Sequence, residues 1–296
     1  EDDQIRLCID FLTAEKVLLE EKEDFLLSLA LKGETAEETA SFINYFRELA
    51  RNPELHEFSE QAIDLCGTGG DRAGSFNIST FVSFILASAG VPVIKHGNRS
   101  VSSKCGSADL LEAIGIPLEL DINQINESIK QLSFTFLFAP SFHPAFKHIA
   151  PVRKELAKKG VITIFNILGP LINPARPGFQ LLGVYAQELV SRIGNSLKQT
   201  GIKSGYVVHG CVDDHPTITG VDELTSSGQN IICGFEQKKG IRNQIWGPEK
   251  FGLEYSNISD IKGGDLKRNL ELMNLLLNNR APKGLTSSVL MNAALA

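Results

Sequence analysis

Residues 64–80 read DLCGTGGDRAGSFNIST, and four of these residues are glycine. The apolar segment AIDLC (62–66) predicts a short strand before the glycines, and STFVSFILASAG (79–90) predicts a helix after them. A glycine loop (residues 67–77) between a strand and a helix is the arrangement of an anion cradle, because glycines allow close backbone approach and a helix N-terminus presents free N–H groups. The loop matches neither the GxxxxGKS/T nor the GxGxxG pattern. From the glycines alone, a phosphate cradle and an ordinary glycine-rich turn are equally compatible with the sequence.

Polar residues beyond the loop favour the cradle. Asn77, Ser79 and Thr80 lie at the start of the predicted helix, where a single hydroxyl side chain is sufficient as an N-cap. The next predicted strand, VPVIK (91–95), runs into a second polar segment, KHGNRSVSSKCGSAD (95–109). Open α/β sheets place ligands at the carboxyl ends of their strands. Two polar loops after successive strands therefore indicate a ligand with several phosphates and a sugar, with a solvated polar loop as the alternative.

An adjacent acidic pair occurs later, in VDEL (221–224). Asp222 and Glu223 are compatible with ordinary surface charges, which is the usual fate of acidic residues. A phosphate-rich ligand commonly arrives with Mg²⁺, however, and carboxylates hold this ion together with the oxygens of the ligand. Beside two predicted phosphate loops, the pair predicts a Mg²⁺ site.

The distribution of predicted elements indicates the fold class. Residues 1–60 lack strand-like alternation; residues 11–33 have helical periodicity, and Thr35 with Glu38 fits a capping box that opens the next helix. After this helical part, strands alternate with helices, which predicts a largely parallel sheet covered on both faces. The further predicted elements are the helix SADLLEAIG (107–115) and the strands FTFLFAP (134–140), FQLLGVY (179–185) and SGYVVHG (204–210).

Composition excludes several classes of function. The chain has 296 residues, a formal net charge of −6 and 43% apolar residues, which is ordinary for a soluble globular protein and argues against nucleic-acid binding. Its five cysteines are scattered without a CxxC pair, so we expect neither a disulfide framework nor a zinc site. No apolar run reaches the ~18 residues of a membrane span, and the N-terminal EDDQIR is not typical of a signal peptide. We therefore expect a cytoplasmic protein.

Six motifs follow one another along the chain: GTGGD, NIST, KHGNR with SS and GSADLLEAIG, HPAFKHIAPVRKEL, FNILGPLINPA and VDEL. Taken in this order, they closely resemble the motifs of anthranilate phosphoribosyltransferases. The resemblance covers roughly residues 30–295. The motifs are specific as a set, whereas GTGGD or an acidic pair alone would not be.

This resemblance implies a reaction and a fold. The reaction is the transfer of a phosphoribosyl group from 5-phosphoribosyl-1-diphosphate (PRPP) to the amine of anthranilate, with release of pyrophosphate, in tryptophan biosynthesis. The implied fold is α/β and nucleoside-phosphorylase-like, with a mainly parallel central sheet flanked by helices and a small all-helical domain that forms a homodimer. In this interpretation, residues 1–60 and a returning helical segment near 143–172 form the helical domain. Residues 61–296 form the PRPP-binding domain.

The resemblance also implies the residues of each site. PRPP binding falls on the two polar loops and the start of the first helix after the glycines: Gly67, Gly70, Asp71, Ser75, Asn77, Ile78, Ser79, Thr80, Lys95, His96, Gly97, Asn98, Arg99, Ser100, Val101, Ser102, Ser103 and Ser107. Anthranilate contacts fall on Gly67, Asn98, His143 and Arg153, and Mg²⁺ ligands on Ser79, Asp222 and Glu223. For His143 and His96 a structural role is the alternative.

Each residue type suits its implied role. Arg153 can pair with the anthranilate carboxylate through two hydrogen bonds, and Asn98 can hydrogen-bond the amine without protonating it. Lys95, together with Mg²⁺ and backbone N–H groups, can stabilise the leaving pyrophosphate. We expect no residue to act as acid, base or nucleophile, and no general base with a strongly shifted pKa. Positioning alone supplies ~7–11 kcal/mol of the barrier in favourable cases.

Two alternative functions share this fold. A pyrimidine-nucleoside phosphorylase would carry a Lys-x-Ser-Gly-Arg type of stretch, whereas this chain has KHGN. A non-catalytic relative that binds nucleic acid would lack the intact glycine loop and carry a basic surface.

Three features depart from the family pattern. The segment ELAKKGVITIFN (155–166) is longer than the usual link, with Ile162 where an arginine is common. The loop CVDDHPTIT (211–219) is extended. The chain ends within the predicted helix GLTSSVLMNAALA (284–296), so we expect a truncated form.

Overall fold

A sheet lies at the centre of the structure. The structure is a computed structural model, and it describes residues 2–99, 104–212 and 215–296. Its strands are β1 (Ile63–Gly67), β2 (Val93–Gly97), β3 (Phe134–Phe138), β4 (Phe179–Gly183), β5 (Ser204–Cys211), β6 (Gly220–Val221), β7 (Asn230–Glu236) and β8 (Gly240–Trp246). They lie in the order β3-β2-β1-β4-β5-β7-β8, with β6 beside β5. Strands β1 to β5 are parallel, whereas β6, β7 and β8 pair antiparallel. The predicted, mainly parallel sheet is therefore confirmed.

Helices precede the sheet and cover it. They are α1 (Asp2–Thr13), α2 (Leu19–Lys32), α3 (Ala36–Glu48), α4 (His56–Ser59), α5 (Ile78–Ser88), α6 (Ser107–Ala113), α7 (Ile122–Leu132), α8 (Ala139–Phe142), α9 (Ala150–Lys158), α10 (Phe165–Leu168), α11 (Glu188–Gln199), α12 (Leu266–Leu277) and α13 (Lys283–Leu295). Short 3₁₀ helices span Pro144–His148, Gly169–Leu171, Pro248–Phe251 and Ile258–Ile261. Within the described part of the chain, none of these helices combines the length and apolarity needed to cross a bilayer.

The first helices follow local sequence signals. Thr35 Oγ1 accepts a hydrogen bond from the Glu38 N–H at 3.1 Å, and the Glu38 carboxylate accepts one from the Thr35 N–H at 3.0 Å, so the predicted capping box is confirmed. The helical periodicity of residues 11–33, in contrast, is interrupted between α1 and α2. A new helix starts there because the Glu21 carboxylate accepts a hydrogen bond from the Leu18 N–H at 3.1 Å.

Successive residues of the central strands face two different apolar clusters. Leu182 of β4 and Val207 of β5 pack in a cluster with α1, α2, α3, α9 and α11. Their neighbours Leu181 and Val208 pack with α5, α6, α12 and α13. Helices therefore cover both faces of the sheet, as parallel strands require. Because α1 to α3 share a cluster with the sheet, the structure draws no boundary between them, and the division into two domains stays a prediction.

Several leucines of the N-terminal helices remain exposed. The exposed fraction is 68% for Leu7, 64% for Leu18 and 87% for Leu31. These side chains belong to the part of the chain for which a homodimer contact is predicted, and that contact stays a prediction.

The hairpin of β7 and β8 was not predicted from the sequence. Its two strands pair from Asn230 with Trp246 to Glu236 with Gly240, and Gly240 has a φ of 84°. The segment QKKG (237–240) is the available turn signal, since glycine adopts this left-handed conformation without strain. The strand β8 has no clear alternation of buried and exposed residues, which is why its pattern is weak.

Asn173 links strands β1 and β2 to the segment between β3 and β4. Asn173 follows the 3₁₀ helix Gly169–Leu171 in the sequence and is 1% exposed. Nδ2 donates to Asp64 Oδ2 and to the Ile94 carbonyl, both at 2.9 Å, and Oδ1 accepts from the Ala175 N–H at 3.0 Å. Because Asp64 lies on β1 and Ile94 on β2, one amide satisfies buried groups of both strands.

Replacing Asn173 by alanine is expected to lower the free energy of unfolding by about 2–4 kcal/mol, since a buried carboxylate and a carbonyl lose their donor. Urea unfolding followed by circular dichroism measures the change. Asn195→Ala is the matched control, because Asn195 is exposed on α11 and its loss should cost less than about 0.5 kcal/mol. Equal effects of the two substitutions would contradict this role of Asn173.

Candidate active site

The order of the strands creates a crevice beside β1. From β1 the chain passes to β2 and β3 on one side, whereas β4 and β5 lie on the other side. The connections after β1 and β4 therefore lead in opposite directions. Open α/β sheets bind ligands at such a switch point, outside the carboxyl ends of the strands. The glycine loop follows β1 and lies at this point.

Two glycines at the carboxyl ends of β1 and β4 make room for the acidic pair. Gly67 and Gly183 lie opposite each other in the two strands. A Cβ atom on Gly67 would overlap the carboxylate of Asp222, and one on Gly183 would overlap the backbone carbonyl of Asp222. The segment after β6 therefore crosses the ends of both strands where no side chain fits, and it brings Asp222 and Glu223 to the glycine loop.

Carboxylates fix the shape of the glycine loop. Gly69 and Gly70 have φ values of 66° and 86°, and the Gly69 N–H donates to Asp222 Oδ2 at 2.7 Å. Asp71 accepts from the Ala73 N–H at 3.1 Å and, through its other oxygen, from the Asp222 N–H at 3.3 Å. Asp71 thus holds the loop against the acidic segment, and its contact with PRPP stays a prediction.

Ser79 and Lys95 lie on the other side of Glu223. Glu223 Oε1 accepts a hydrogen bond from the Ser79 N–H at 3.1 Å, at the N-terminus of α5, where the helix dipole favours a negative charge. Lys95 Nζ donates to the Leu65 carbonyl and lies 3.5 Å from Ser79 Oγ. The structure thus brings together predicted residues from three distant parts of the sequence: the glycine loop with Ser79 directly after it, Lys95, and the Asp222–Glu223 pair.

Burial dominates the electrostatics of this group. Burial and then the charge of Asp71 raise the pKa of Asp222 to about 7. Burial and then the charge of Asp222 raise the pKa of Glu223 well above its usual value, and burial lowers the pKa of Lys95. The pKa values of these two carboxylates are therefore strongly shifted. The main cause is burial, to which the charge of Asp71 adds for Asp222 and the charge of Asp222 adds for Glu223. The expectation that the reaction needs no general base with a shifted pKa stays a prediction.

The donor set of this group fits Mg²⁺. Ser79 Oγ and the carboxylates of Asp222 and Glu223 are oxygen ligands, and a divalent cation would lower both carboxylate pKa values again. Across residues 2–99, 104–212 and 215–296, no group of three or more His, Cys, Asp or Glu side chains is arranged to hold a metal ion.

The second polar loop starts after β2 and is attached to α6. Asn98 accepts a hydrogen bond from the Arg99 N–H on Oδ1 at 2.7 Å and one from the Ala108 N–H on its carbonyl at 3.3 Å. The Arg99 guanidinium pairs with Glu112 at 2.7 and 2.9 Å and with Asp109 at 3.3 Å. Carboxylates of α6 therefore engage the charge of Arg99. The predicted Ser100, Val101, Ser102 and Ser103 lie outside the described residues.

The other predicted PRPP residues lie on the same two loops. Asn77 Nδ2 donates to the Cys105 carbonyl at 3.2 Å, which joins the glycine loop to the second polar loop. Ser107 Oγ donates to the Asn98 carbonyl at 3.4 Å, and a Cβ atom on Gly97 would overlap Ser107 Oγ. Gly70, Ser75, Ile78 and Thr80 complete the set along the glycine loop and the start of α5.

A row of ring contacts leads from β2 to α9 and α10. Ring centroids are 5.0 Å apart for His96 and His143, 5.7 Å for His143 and Phe146, and 5.8 Å for Phe146 and Phe165. The guanidinium of Arg153 lies 5.8 Å from the Phe165 ring centroid and donates to the Phe165 carbonyl at 3.2 Å. The predicted His143 and Arg153 thus share one aromatic surface. An aromatic carboxylate suits this surface, because rings pack on rings and a guanidinium pairs with a carboxylate.

Asp64 is not among the residues that the sequence motifs predict. This residue of β1 is fully buried, and burial raises its pKa to about 6 against the opposing effects of Lys95 and Asn173. Its Oδ1 accepts a hydrogen bond from the His96 N–H at 3.3 Å. The signal was available, since an aspartate inside the apolar segment 62–66 requires partners when the strand is buried.

These features define a class of protein. An open, mainly parallel α/β sheet carries a glycine loop, buried carboxylates and a buried lysine at its switch point, with an aromatic surface beside them. Such a protein is built to bind a phosphorylated ligand next to an aromatic one.

Comparison with known proteins gives the family. The model of the glycosyl transferase family, a/b domain, matches residues 59–296. Anthranilate phosphoribosyltransferase from Endomicrobium trichonymphae is 45% identical over 274 residues, which cover 91% of this chain and 76% of that protein. The chain therefore belongs to the glycosyl transferase family and, within it, to the anthranilate phosphoribosyltransferases.

Two solved structures have the same fold. The anthranilate phosphoribosyltransferase of Thermus thermophilus matches with a TM-score of 0.87 and 38% identity, over 100% of this chain and 84% of that one. The Saccharomyces cerevisiae enzyme in complex with PRPP and Mg matches with a TM-score of 0.78 and 24% identity, over 99% of this chain and 81% of that one. The second match is distant and supports the fold alone.

When the pH falls from 7 to 5, a protein with phenylalanine in place of His143 is expected to lose less of its free energy of unfolding than the wild type. Burial lowers the pKa of His143 from 6.5 to about 4, so the unfolded chain binds this proton more readily than the folded protein. The associated stability is present above pH ~6.5 and is lost as the pH falls towards 4, at about 1.4 kcal/mol per pH unit. Between pH 7 and pH 5, the substitution should remove about 2 kcal/mol of the decrease in the free energy of unfolding.

Urea titrations at the two pH values measure this difference. His56→Phe controls for the exchange of imidazole for phenyl, because His56 is exposed on α4. A His143→Phe protein that loses as much stability as the wild type between pH 7 and pH 5 would contradict a buried neutral imidazole.

Proposed function

We propose that this chain transfers the phosphoribosyl group of PRPP to the amine of anthranilate, giving N-(5-phosphoribosyl)anthranilate and pyrophosphate. The observation that carries the proposal is the contact of the glycine loop with the buried Asp222–Glu223 pair at the switch point of the sheet. This contact joins a phosphate cradle to a cation site, which is the combination that a diphosphate with its metal ion requires. Membership of the family supports anthranilate as the acceptor.

We assign Mg²⁺ to the oxygen ligands Ser79, Asp222 and Glu223. When bound, the ion supplies positive charge to the oxygens of the pyrophosphate group. Asp222 and Glu223 are adjacent in sequence, and Ser79 lies at the start of α5, where its N–H binds Glu223. Mg²⁺ commonly takes its remaining ligands from phosphate oxygens and water. The same carboxylates also hold the backbone of the glycine loop and of α5, so the cation site and the phosphate cradle form one unit.

The residues around PRPP act by orientation and charge. Backbone N–H groups of the glycine loop and the N-terminus of α5 bind the phosphates, and Lys95, whose Nζ donates to the Leu65 carbonyl and lies 3.5 Å from Ser79 Oγ, adds a donor at the start of α5. As the bond between C1 and the pyrophosphate oxygen breaks, negative charge grows on the leaving group while the amine nitrogen bonds to C1, and the amine then gives up one proton to the released pyrophosphate. These donors therefore interact more strongly with the transition state than with the bound substrate.

The residues around anthranilate orient its amine. Arg153 pairs with the carboxylate, and the rings of His143 and Phe146 bound the aromatic ring. Burial keeps His143 neutral at pH 7, so no second charge competes for the carboxylate. Asn98 Oδ1 accepts one hydrogen bond from the Arg99 N–H and retains a lone pair for the amine.

The decisive experiment follows the loss of anthranilate fluorescence when PRPP and Mg²⁺ are added to the purified protein. The proposal requires consumption of anthranilate that depends on both additions. Uridine or thymidine with phosphate tests the pyrimidine-nucleoside phosphorylase alternative, and a gel shift with DNA tests the nucleic-acid-binding one. Consumption of a nucleoside, or no loss of anthranilate, would overturn the proposal.

Arg153→Ala is expected to raise the KM for anthranilate about 10- to 100-fold, because a charge-assisted pair with the carboxylate is lost. The KM for PRPP should change little, since Arg153 lies on the aromatic surface rather than on the glycine loop. Initial rates at varied concentrations of both substrates measure the two constants. Lys154→Ala, at the next and exposed position of α9, is the control. An unchanged KM for anthranilate would contradict the carboxylate role.

Glu223→Ala is expected to weaken the use of PRPP about tenfold or more and to raise the Mg²⁺ concentration needed for half-maximal rate. The physical reason is that one carboxylate ligand and the hydrogen bond to the start of α5 are lost together. Initial rates over a titration of Mg²⁺ measure the effect, with the exposed Glu57→Ala as the control. A Mg²⁺ dependence like that of the wild type would place the metal ion elsewhere.

A further inference from the structure

A segment remote in sequence pairs with the second half of the glycine loop. This clamp segment, residues 261–263, accepts a hydrogen bond from the Phe76 N–H on the Ile261 carbonyl at 2.8 Å. The Gly263 N–H donates in return to the Gly74 carbonyl at 2.9 Å. Ser75 of the loop and Lys262 of the clamp segment form an isolated antiparallel bridge. Because Gly74 has a φ of 63°, the loop makes a left-handed turn and is caught at that turn by the clamp segment.

The contact is too close for a side chain at position 263. A Cβ atom on Gly263 would lie 2.7 Å from the Ser75 carbonyl oxygen and 2.9 Å from the Phe76 nitrogen. Both are backbone atoms, which cannot rotate away as the end of a side chain can. An alanine at this position must therefore displace residues 75 and 76 or the clamp segment itself.

Asn269 holds the two residues that follow the clamp segment. Its side chain is 1% exposed, and its Nδ2 donates to the carbonyls of Gly264 and Asp265 at 2.9 and 3.0 Å. Asp265 in turn caps α12 by accepting from the Arg268 N–H at 2.9 Å. The clamp segment is thus anchored to the start of a helix that packs in the apolar cluster around Leu272.

The clamped residues lead directly into the phosphate-binding end of α5. Asn77 follows Phe76 and donates to the Cys105 carbonyl of the second polar loop. Ser79, two residues further on, donates its N–H to Glu223. A displacement of Phe76 therefore acts on both contacts, since no flexible connection separates it from them.

We propose that residues 261–263 form a positioning element for PRPP binding. They set the path of residues 74–76 and thereby hold the start of α5, with Asn77 against the second polar loop and Ser79 against Glu223, in the place where PRPP binds. The inference rests on the proposed function and assigns a role to a part of the chain that makes no predicted contact with either substrate. An already ordered loop avoids the entropy cost of ordering glycine-rich backbone when the ligand binds.

Gly263→Ala tests this role, with Gly264→Ala as the matched control. At position 264 a Cβ atom would press on the Cβ and Cγ atoms of Arg268, at the first turn of α12 and away from the glycine loop. Both variants should lose stability. Gly263→Ala alone should raise the KM for PRPP, by about 10- to 100-fold, and leave the KM for anthranilate within about twofold. Peptides covering residues 74–80 should exchange their amide hydrogens faster in Gly263→Ala than in the control.

The outcomes separate this inference from the proposed function. A wild-type protein that does not consume anthranilate contradicts the function, and hydrogen exchange alone then decides on the clamp segment. An active wild type together with equal KM values for PRPP in the two glycine variants overturns the positioning role and leaves the function intact. If Gly263→Ala does not fold, Asn269→Ala removes the anchor instead and should shift the same constant in the same direction. An unchanged KM for PRPP in Asn269→Ala would then overturn the inference.

Discussion

The crossing of Asp222 over the ends of β1 and β4 is the constraint on which the site depends. It is possible only because Gly67 and Gly183 have no side chains, since a Cβ atom on either would occupy the place of Asp222. From this position Asp222 binds the Gly69 N–H, and Asp71 binds the Asp222 N–H. The next residue, Glu223, binds the start of α5. One tight passage of backbone therefore determines the shape of the glycine loop and the place of the predicted metal ligands.

The same crossing buries charge that the protein alone does not neutralise. Asp64, Asp222 and Glu223 have raised pKa values, and Lys95 has a lowered one, all mainly through burial. A buried group of this kind adds little to stability, because desolvation of each ion offsets its attraction to the next. Shifted ionisable groups in a crevice are, however, typical of a functional site. The arrangement is best explained as a site whose charge balance is completed by its ligands.

Sequence patterns were sufficient wherever a structure is determined by neighbours along the chain. The strand before the glycine loop, the helix after it and the capping box of Thr35 and Glu38 all depend on residues a few positions apart. The bond of Asp71 to Asp222 joins residues 151 positions apart, and no local pattern predicts it. The clamp segment escaped notice for the same reason. Gly263 at its end and Gly264 directly after it indicate only a turn until the facing residues are known.

The burial of each strand explains whether its sequence predicts it. The parallel strands β1 to β5 have apolar stretches that are buried on both faces, so they were predictable from composition. The edge strand β8 has mixed burial and gives no comparable signal. Arg99 belongs to a motif with an implied role in PRPP binding, yet its guanidinium pairs with Glu112 of α6. A motif therefore predicts the position of a side chain in the fold but not the residue with which it pairs.

The dependence of the glycine loop on later residues also has a consequence for how the protein folds. The loop lies between β1 and α5, but the groups that fix it come from the segment after β6 and from residues 261–263. A chain emerging from the ribosome completes its parallel strands before these partners exist. Contacts of such large sequence separation form late, because much chain entropy must be lost before they form. The glycine loop therefore takes its final shape only after residues 220–223 and 261–263 have been synthesised and have reached it.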